Sequence, residues 1–158
     1  MKPGTFTQLY EQLVFAVKKR ECLLNLSQRK MVFAYIGGIL TNLGHKSLIV
    51  NGYSDHVHIL YGRNPSKSTS NTVGVIKKSS ALFINEQHWY SGKFQWQDGY
   101  GAFSYSKSQI NDVYSYIARQ EEHHRSNRFR DEYIEMLQKA EIDFDGRFLY
   151  EFYDDIIL

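Results

Sequence analysis

Apolar and polar positions alternate in some short stretches of this chain and recur at helical spacing in others. TQLYEQLVFAV (7–17) is rich in aromatic and β-branched residues and predicts a strand, closed by the charged KKRE. SQRKMVFAYIGGILTNLG (27–44) puts Val32, Tyr35, Ile36, Ile39 and Leu43 on one stripe. That pattern predicts a helix with Ser27 as its N-cap and Gly44 as its terminal glycine. Gly37–Gly38 costs helix propensity there and predicts close packing. HKSLIVNGY and DHVHILYG predict two antiparallel strands with Asn51–Gly52 in their junction. After the loop NPSKST, SNTVGVIKKSSALFINEQHW predicts a second helix. KFQWQDGYGAFSYS predicts a fourth extended segment, interrupted by Gly99 and Gly101. SKSQINDVYSYIARQEEHHR (106–125) and NRFRDEYIEMLQKAEI predict two more helices.

The order β-α-β-β-α-β followed by helices predicts an α+β fold of ferredoxin-like type, a four-stranded antiparallel sheet with two helices on one face. One domain over residues 1–145 is expected, followed by an acidic, aromatic tail over 146–158. That fold carries many functions, so function has to be read from a site.

Composition narrows the class. Hydrophobic residues are 42% and charged residues 23%, as in ordinary globular proteins, and two prolines argue against long disordered linkers. A single cysteine, Cys22, excludes an intramolecular disulfide and is expected as a small apolar filler. No basic start leads into an apolar block and no run reaches membrane-spanning length, so a soluble, cytoplasmic protein is expected. The net charge of +2 is unevenly spread. Residues 131–158 hold 9 acids and 2 bases, whereas residues 1–130 hold 17 bases and 8 acids. A basic body suits a polyanion partner, and aromatics at 15% can stack on unpaired bases. The candidate phosphate contacts are Lys18, Lys19 and Arg20 at a strand end, Lys77 and Lys78 on the second helix, and Arg119, Arg125, Arg128 and Arg130 around the third.

The chemistry is concentrated in two motifs. SDHVHIL (54–60) sets two histidines one residue apart inside an apolar run. On a strand, His56, His58 and Leu60 share one face and Val57, Ile59 and Tyr61 share the other. Two imidazoles side by side are either part of a metal site or a pair of ordinary histidines on a sheet surface, and the motif alone does not choose. In YIARQ, Tyr116 and Gln120 are four residues apart and lie one above the other on a helix. A glutamine carbonyl oxygen is an acceptable ligand for a hard divalent cation, and a tyrosine hydroxyl one turn away is a candidate nucleophile. Tyr114 is roughly 200° around the helix from Tyr116 and does not share the face of Gln120.

HVH on a strand with YIARQ on a later helix resembles the single-tyrosine HUH transposases, small bacterial insertion-sequence enzymes that act on single-stranded DNA. The similarity runs from about residue 5 to about residue 145 and includes the element order, LVFAVKKRE, NGYSDHVHIL and WQDGYGAFSYS. One departure is visible. Many relatives carry a histidine just before the apolar LVF run, where this chain has Gln12. Gln12 is not an implied ligand, so the expected consequence is a change in local DNA contacts.

The resemblance implies metal-assisted transesterification. His56, His58 and Gln120 are implied to bind one Mg²⁺ or Mn²⁺, and Tyr116 to attack the scissile phosphorus, giving a 5′-phosphotyrosine link and a free 3′-hydroxyl. Such a link conserves the bond's free energy, so rejoining needs no ATP. Phenol, with a pKa of about 10, also leaves more easily than an alkyl hydroxyl. Imidazole suits Mn²⁺ better than Mg²⁺. Three neutral ligands are expected to hold the cation weakly until DNA adds its oxygens. The implied partners are single-stranded DNA hairpins at transposon ends and a second copy of the chain. In such a homodimer the tyrosine helix can serve the histidines of the other subunit, with the glycines of DGYGAF lending mobility.

The rival from another class is a domesticated, non-catalytic single-strand binder of the same fold, which needs neither motif. A plasmid nicking protein is a second rival, but such proteins are usually larger. Of the remaining polar residues, His123 and His124 could be further metal ligands but are expected at a solvent-facing helix end, in reach of phosphate, and Asp55 could tune a neighbouring histidine but is expected as a turn residue. Trp89, Trp96 and Tyr105 are expected to be structural, and the acidic tail to cover the basic body when DNA is absent.

Overall fold

A computed structural model describes residues 3–153 of the chain. The strands are β1 (Tyr10–Ala16), β2 (Lys46–Tyr53), β3 (His56–Gly62) and β4 (Gly101–Tyr105). They form one four-stranded antiparallel sheet in the order β2-β3-β1-β4. The helices are α1 (Leu26–Asn42), α2 (Thr69–Glu86), α3 (Ile110–Ala118), α4 (Gln120–His123) and α5 (Phe129–Lys139). The expected ferredoxin-like α+β arrangement is therefore present, with further helices after β4.

Strand periodicity sorts the two faces. Val57, Ile59 and Tyr61 of β3 join Leu13 and Phe15 of β1 in the main core, with Val32, Ile36 and Leu40 of α1 and Val73, Ile76 and Ile84 of α2. The opposite face of β3 carries His56, His58 and Leu60, and Leu60 packs against Ile110 and Ile117 of α3. β3 is flanked by β2 and β1 at its edges and covered by helices on both faces, so residues 56–61 are all buried. Cys22 is fully buried and Trp96 is a core residue, as expected.

Several local expectations are corrected. Asn51 and Gly52 lie inside β2, and the two-residue turn of the hairpin is Ser54–Asp55. Gly52 is required there for another reason. A Cβ at this position would stand 2.2 Å from the carbonyl oxygen of His56 on the paired strand. Gly52→Ala is expected to push β2 away from the histidine strand and cost about 3 kcal/mol, read as a lower urea midpoint. An unchanged midpoint would show that the hairpin yields without cost.

The N-cap of α1 is Asn25, not Ser27. The Asn25 side chain accepts from the backbone of Gln28, whose side chain in turn accepts from the backbone of Asn25. Gly44 follows the helix with φ +81, as a terminal glycine should. A Cβ on Gly38 would meet nothing within 4 Å, so the glycine pair does not mark close packing at that position. The predicted helix over 106–125 is broken at Arg119 into α3 and α4. Asn51 bridges to the end of α3 by donating to the carbonyl of Ile117 (2.9 Å). The described part of the tail packs on the body through its aromatics. The Tyr150 hydroxyl donates to the carbonyl of Val14 (2.9 Å) and the Tyr153 hydroxyl to that of Lys18. Residues 154–158 lie outside the described residues.

Candidate active site

β3 presents His56 and His58 on the face turned toward α3, α4 and α5. Their ring centroids are 5.0 Å apart, and both side chains are fully buried. Each ring is held from behind. His56 Nδ1 lies 2.7 Å from Asp55 Oδ1, and the ring stacks on Phe129 of α5 at 3.9 Å. His58 Nδ1 lies 2.8 Å from the Gln12 side-chain amide, and Tyr105 donates its hydroxyl to the Gln12 carbonyl oxygen (2.7 Å). These contacts leave both Nε2 atoms facing inward, the arrangement that fixes a metal-ligating imidazole.

Two sequence expectations change here. Asp55 does sit in the turn, but its carboxylate also orients His56. Gln12 is buried and reaches His58 rather than an open surface, because the β1–β3 register pairs its neighbour Val14 with His58. Gln12 can serve either imidazole tautomer by turning its amide over, since one end donates and the other accepts. Gln12→Leu keeps the volume and removes both options. We expect the affinity for divalent metal, measured by calorimetry, to fall about 10- to 100-fold. Wild-type affinity in that variant would mean that packing alone holds the ring.

Gln120 is fully buried at the start of α4, and its carbonyl oxygen is 3.0 Å from His56 Nε2. The break at Arg119 means that Tyr116 and Gln120 do not share one continuous helix face. They nevertheless converge on a common partner. α4 is pinned to α1 by Arg29, itself 2% exposed, whose guanidinium meets Glu121 at 2.6 Å. Tyr116 is half-buried at the end of α3, with its ring centroid 6.1 Å from that of His58. Tyr114 is exposed, as the helical spacing requires.

The common partner is Glu132 of α5, which the sequence reading missed. It is 5% exposed. Its Oε1 lies 3.0 Å from His58 Nε2, 3.3 Å from His56 Nε2 and 3.2 Å from His124 Nε2. Its Oε2 accepts from the Gln120 amide (2.9 Å) and from the Tyr116 hydroxyl in a short hydrogen bond. A signal was present in the sequence. Phe129, Glu132, Tyr133, Met136 and Leu137 fall at i, i+3, i+4, i+7 and i+8, so Glu132 is the one carboxylate on an apolar stripe. A charge placed there must be paired.

His124 is likewise not turned to solvent, while His123 stays partly exposed at the end of α4. The His124 side chain is 3% exposed, and its Nδ1 lies 2.7 Å from the carbonyl of Asn127. His123 Nε2 is buried without a hydrogen-bond partner among the described residues, 3.4 Å from Glu132 Oε2.

The electrostatics follow from this packing. Burial opposes the charging of His56, but the carboxylates of Asp55 and Glu132 on its two nitrogens prevail and push its pKa up to about 10. Burial keeps His58 below the usual histidine value despite Glu132. Burial would raise the Glu132 carboxyl, yet His58, His124 and His56 around it hold it well below the carboxylate range. Burial first, and the Glu132 charge second, hold the Tyr116 phenol above its ordinary value.

These side chains fit a divalent cation. His56, His58 and Glu132 offer donor atoms that all lie within 4.8 Å of one another, and so do His123, His124 and Glu132. Beside the three neutral side chains expected as ligands the structure sets a carboxylate, that of Glu132. A cleft of about 370 Å³, lined in part by Gln12, Tyr105, Tyr116, His123 and Glu132, opens onto the centre. A second cavity of about 240 Å³ lies behind Asp55 and His124 and is lined by Arg125 and Arg128.

The other cations expected at phosphate take separate positions. Lys18, Lys19 and Arg20 line a shallow cavity with Glu151 and Tyr153. The Lys77 ammonium donates to the carbonyls of Gln97 and Gly99 (2.8 and 2.6 Å), while Lys78 and Arg119 are exposed. Among the described residues no helix is long and apolar enough to cross a membrane.

Among curated proteins none matches the chain. A crystal structure of a candidate transposase from Deinococcus radiodurans is similar, with a TM-score of 0.59 at 23% identity over 76% of this chain and 96% of that one. A REP-associated tyrosine transposase bound to a REP hairpin is similar at a TM-score of 0.57 and 13% identity, over 78% of this chain and 74% of that one. At these identities the two structures support the fold. The family model of IS200-like transposases matches residues 5–120, which include β1, the histidine strand, Tyr116 and Gln120, and the chain belongs to that family.

Proposed function

We propose that this chain is a DNA transposase that cleaves and rejoins single-stranded DNA at insertion-sequence ends, with Tyr116 as nucleophile and His56, His58 and Gln120 as ligands of one Mg²⁺ or Mn²⁺. The observation that carries the reading is convergence. The Tyr116 hydroxyl and the inward Nε2 atoms of His56 and His58 meet at one buried point beside an open cleft. A pure nucleic-acid binder has no use for a buried phenol, two imidazoles and a carboxylate packed together, since burying such groups costs free energy.

The bound cation would supply charge stabilisation for the scissile phosphate and hold its oxygens in position. The protein's own residues do the rest. Asp55 and Gln12 keep the imidazoles in register, and Gln120 adds a carbonyl oxygen. The O–H bond of Tyr116 breaks, its oxygen bonds to phosphorus, and the P–O3′ bond of the strand breaks. The leaving 3′ oxygen takes up a proton and departs as a 3′-hydroxyl, and the 5′ end stays on the tyrosine. The reverse attack by a 3′-hydroxyl rejoins the strand.

The substrate in this reading is a hairpin with an adjoining single strand. The solved REP-associated relative bound to its hairpin supports a hairpin partner. Arg125 and Arg128, exposed beside the centre, suit its phosphates. We also place the protein in the cytoplasm as a homodimer, with exchange of the tyrosine helix between subunits as its route to strand transfer. The test is incubation with single-stranded DNA from the protein's own genomic flanks and Mg²⁺ or Mn²⁺. A denaturant-resistant protein–DNA adduct is expected. Binding without an adduct across all flanking strands would move the reading to a single-strand-binding protein.

A further inference from the structure

α5 delivers to the histidine pair a charge that the proposed ligand set lacks. Glu132 Oε1 is 3.0 Å from His58 Nε2 and 3.3 Å from His56 Nε2, and the Gln120 carbonyl oxygen is 3.0 Å from His56 Nε2. Donor atoms spaced in this way match the edges of a coordination shell. Ligands at about 2.1 Å from a cation and at right angles to one another stand about 3 Å apart. The carboxylate is also held for that purpose. Its Oε2 is occupied by the Gln120 amide and the Tyr116 hydroxyl, which leaves Oε1 for the histidine side. On that side His124 Nδ1 rests against the carbonyl of Asn127, and its Nε2 reaches Oε1 at 3.2 Å.

We propose that Glu132 is an anionic ligand, through Oε1, of the same divalent cation that His56 and His58 hold. This rests on the reading of His56 and His58 as a metal pair. Two consequences separate it from a ligand set of two histidines and a glutamine. A set of two imidazoles and one carboxylate suits a transition cation such as Mn²⁺ better than Mg²⁺. It also supplies negative charge before DNA arrives, so Mn²⁺ binds the DNA-free protein. α5 thereby becomes part of the metal centre, although the family match over residues 5–120 ends before it.

The test is a Mn²⁺ titration of the DNA-free full chain, followed by the loss of the free-ion electron paramagnetic resonance signal. Wild type should bind one Mn²⁺. Glu132→Gln, nearly isosteric, should weaken binding by about 100-fold or more, beyond the usual effect of an outer partner. His58→Ala should abolish it, and Glu135→Gln, an exposed carboxylate on the same helix, should leave it unchanged. Wild-type affinity in Glu132→Gln with loss in His58→Ala overturns the role of Glu132 and leaves the histidine reading standing. Wild-type affinity in both overturns the histidine reading as well. No binding to DNA-free wild type also overturns the proposal for Glu132, while Mn²⁺ binding in the DNA complex would keep the histidine reading. In case Glu132→Gln does not fold, the anomalous signal of Mn²⁺ in wild-type crystals decides independently. A peak within about 2.4 Å of Glu132 Oε1 supports the proposal, and a peak at the histidines but remote from that oxygen rejects it.

Discussion

Tyr116→Phe is expected to bind hairpin DNA with wild-type affinity and to form no covalent adduct. The substitution removes one oxygen from a half-buried ring. It keeps the ring's packing on the Leu60–Ile110–Ile117 cluster and its edge contact with His58. The hydrogen bond to Glu132 is lost, and that carboxylate keeps Gln120, His56, His58 and His124 around it. The fold should therefore survive, and cleavage should fall by about 10⁴-fold or more, the scale seen when a covalent nucleophile is removed. The measurement is adduct yield on a denaturing gel, with binding followed separately by gel shift. Full adduct yield in Tyr116→Phe would transfer the nucleophile to another residue. Tyr114, exposed on the far side of α3, would then be the first alternative to examine.

His58→Ala is expected to lower cleavage by about 10³-fold. A bound cation supplies several kcal/mol of charge stabilisation, and each 1.36 kcal/mol is a factor of ten in rate. The imidazole sits in the middle of a strand covered on both faces, so a structural cost comes with the chemical one. Glu132 loses its nearest histidine and the Gln12 amide loses its partner. For that reason hairpin binding has to be measured beside cleavage. A variant that binds but does not cleave supports a ligand role for His58. A variant that cleaves at the wild-type rate removes His58 from the chemistry and leaves it as a packed core histidine.

Much of the site could be read directly from local sequence. Period-two alternation put His56 and His58 on one face of a strand, and the structure keeps them there with Leu60. Helical spacing separated Tyr116 from Tyr114. These inferences hold because they depend on backbone geometry over a few residues, which every strand or helix repeats. The hairpin was misplaced by a few residues for a related reason. Asn51–Gly52 has turn chemistry, but the close approach of the His56 carbonyl gives Gly52 a different role inside the strand, and Asn51 spends its amide on the end of α3.

Other features arise only when distant elements meet. Gln12 reaches His58 because the register of β1 on β3 sets them close, 46 positions apart in the chain. The break at Arg119 comes at a junction held by Asn51 from the sheet and Arg29 from α1, and no residue within the helix itself signals it. Glu132 is 74 positions from His58, a separation with no periodic meaning. Its place on an apolar stripe announces that it is buried and paired, but not with what. Choosing that partner required α5 to fold back over the sheet until Phe129 stacked on His56. By itself, then, the sequence determined the strand face of the histidines, the helix face that separates Tyr116 from Tyr114, and the family. Tertiary packing alone decided that a carboxylate would stand among the histidines, because local periodicity sets which way a side chain points and only the docking of separate elements sets what it meets.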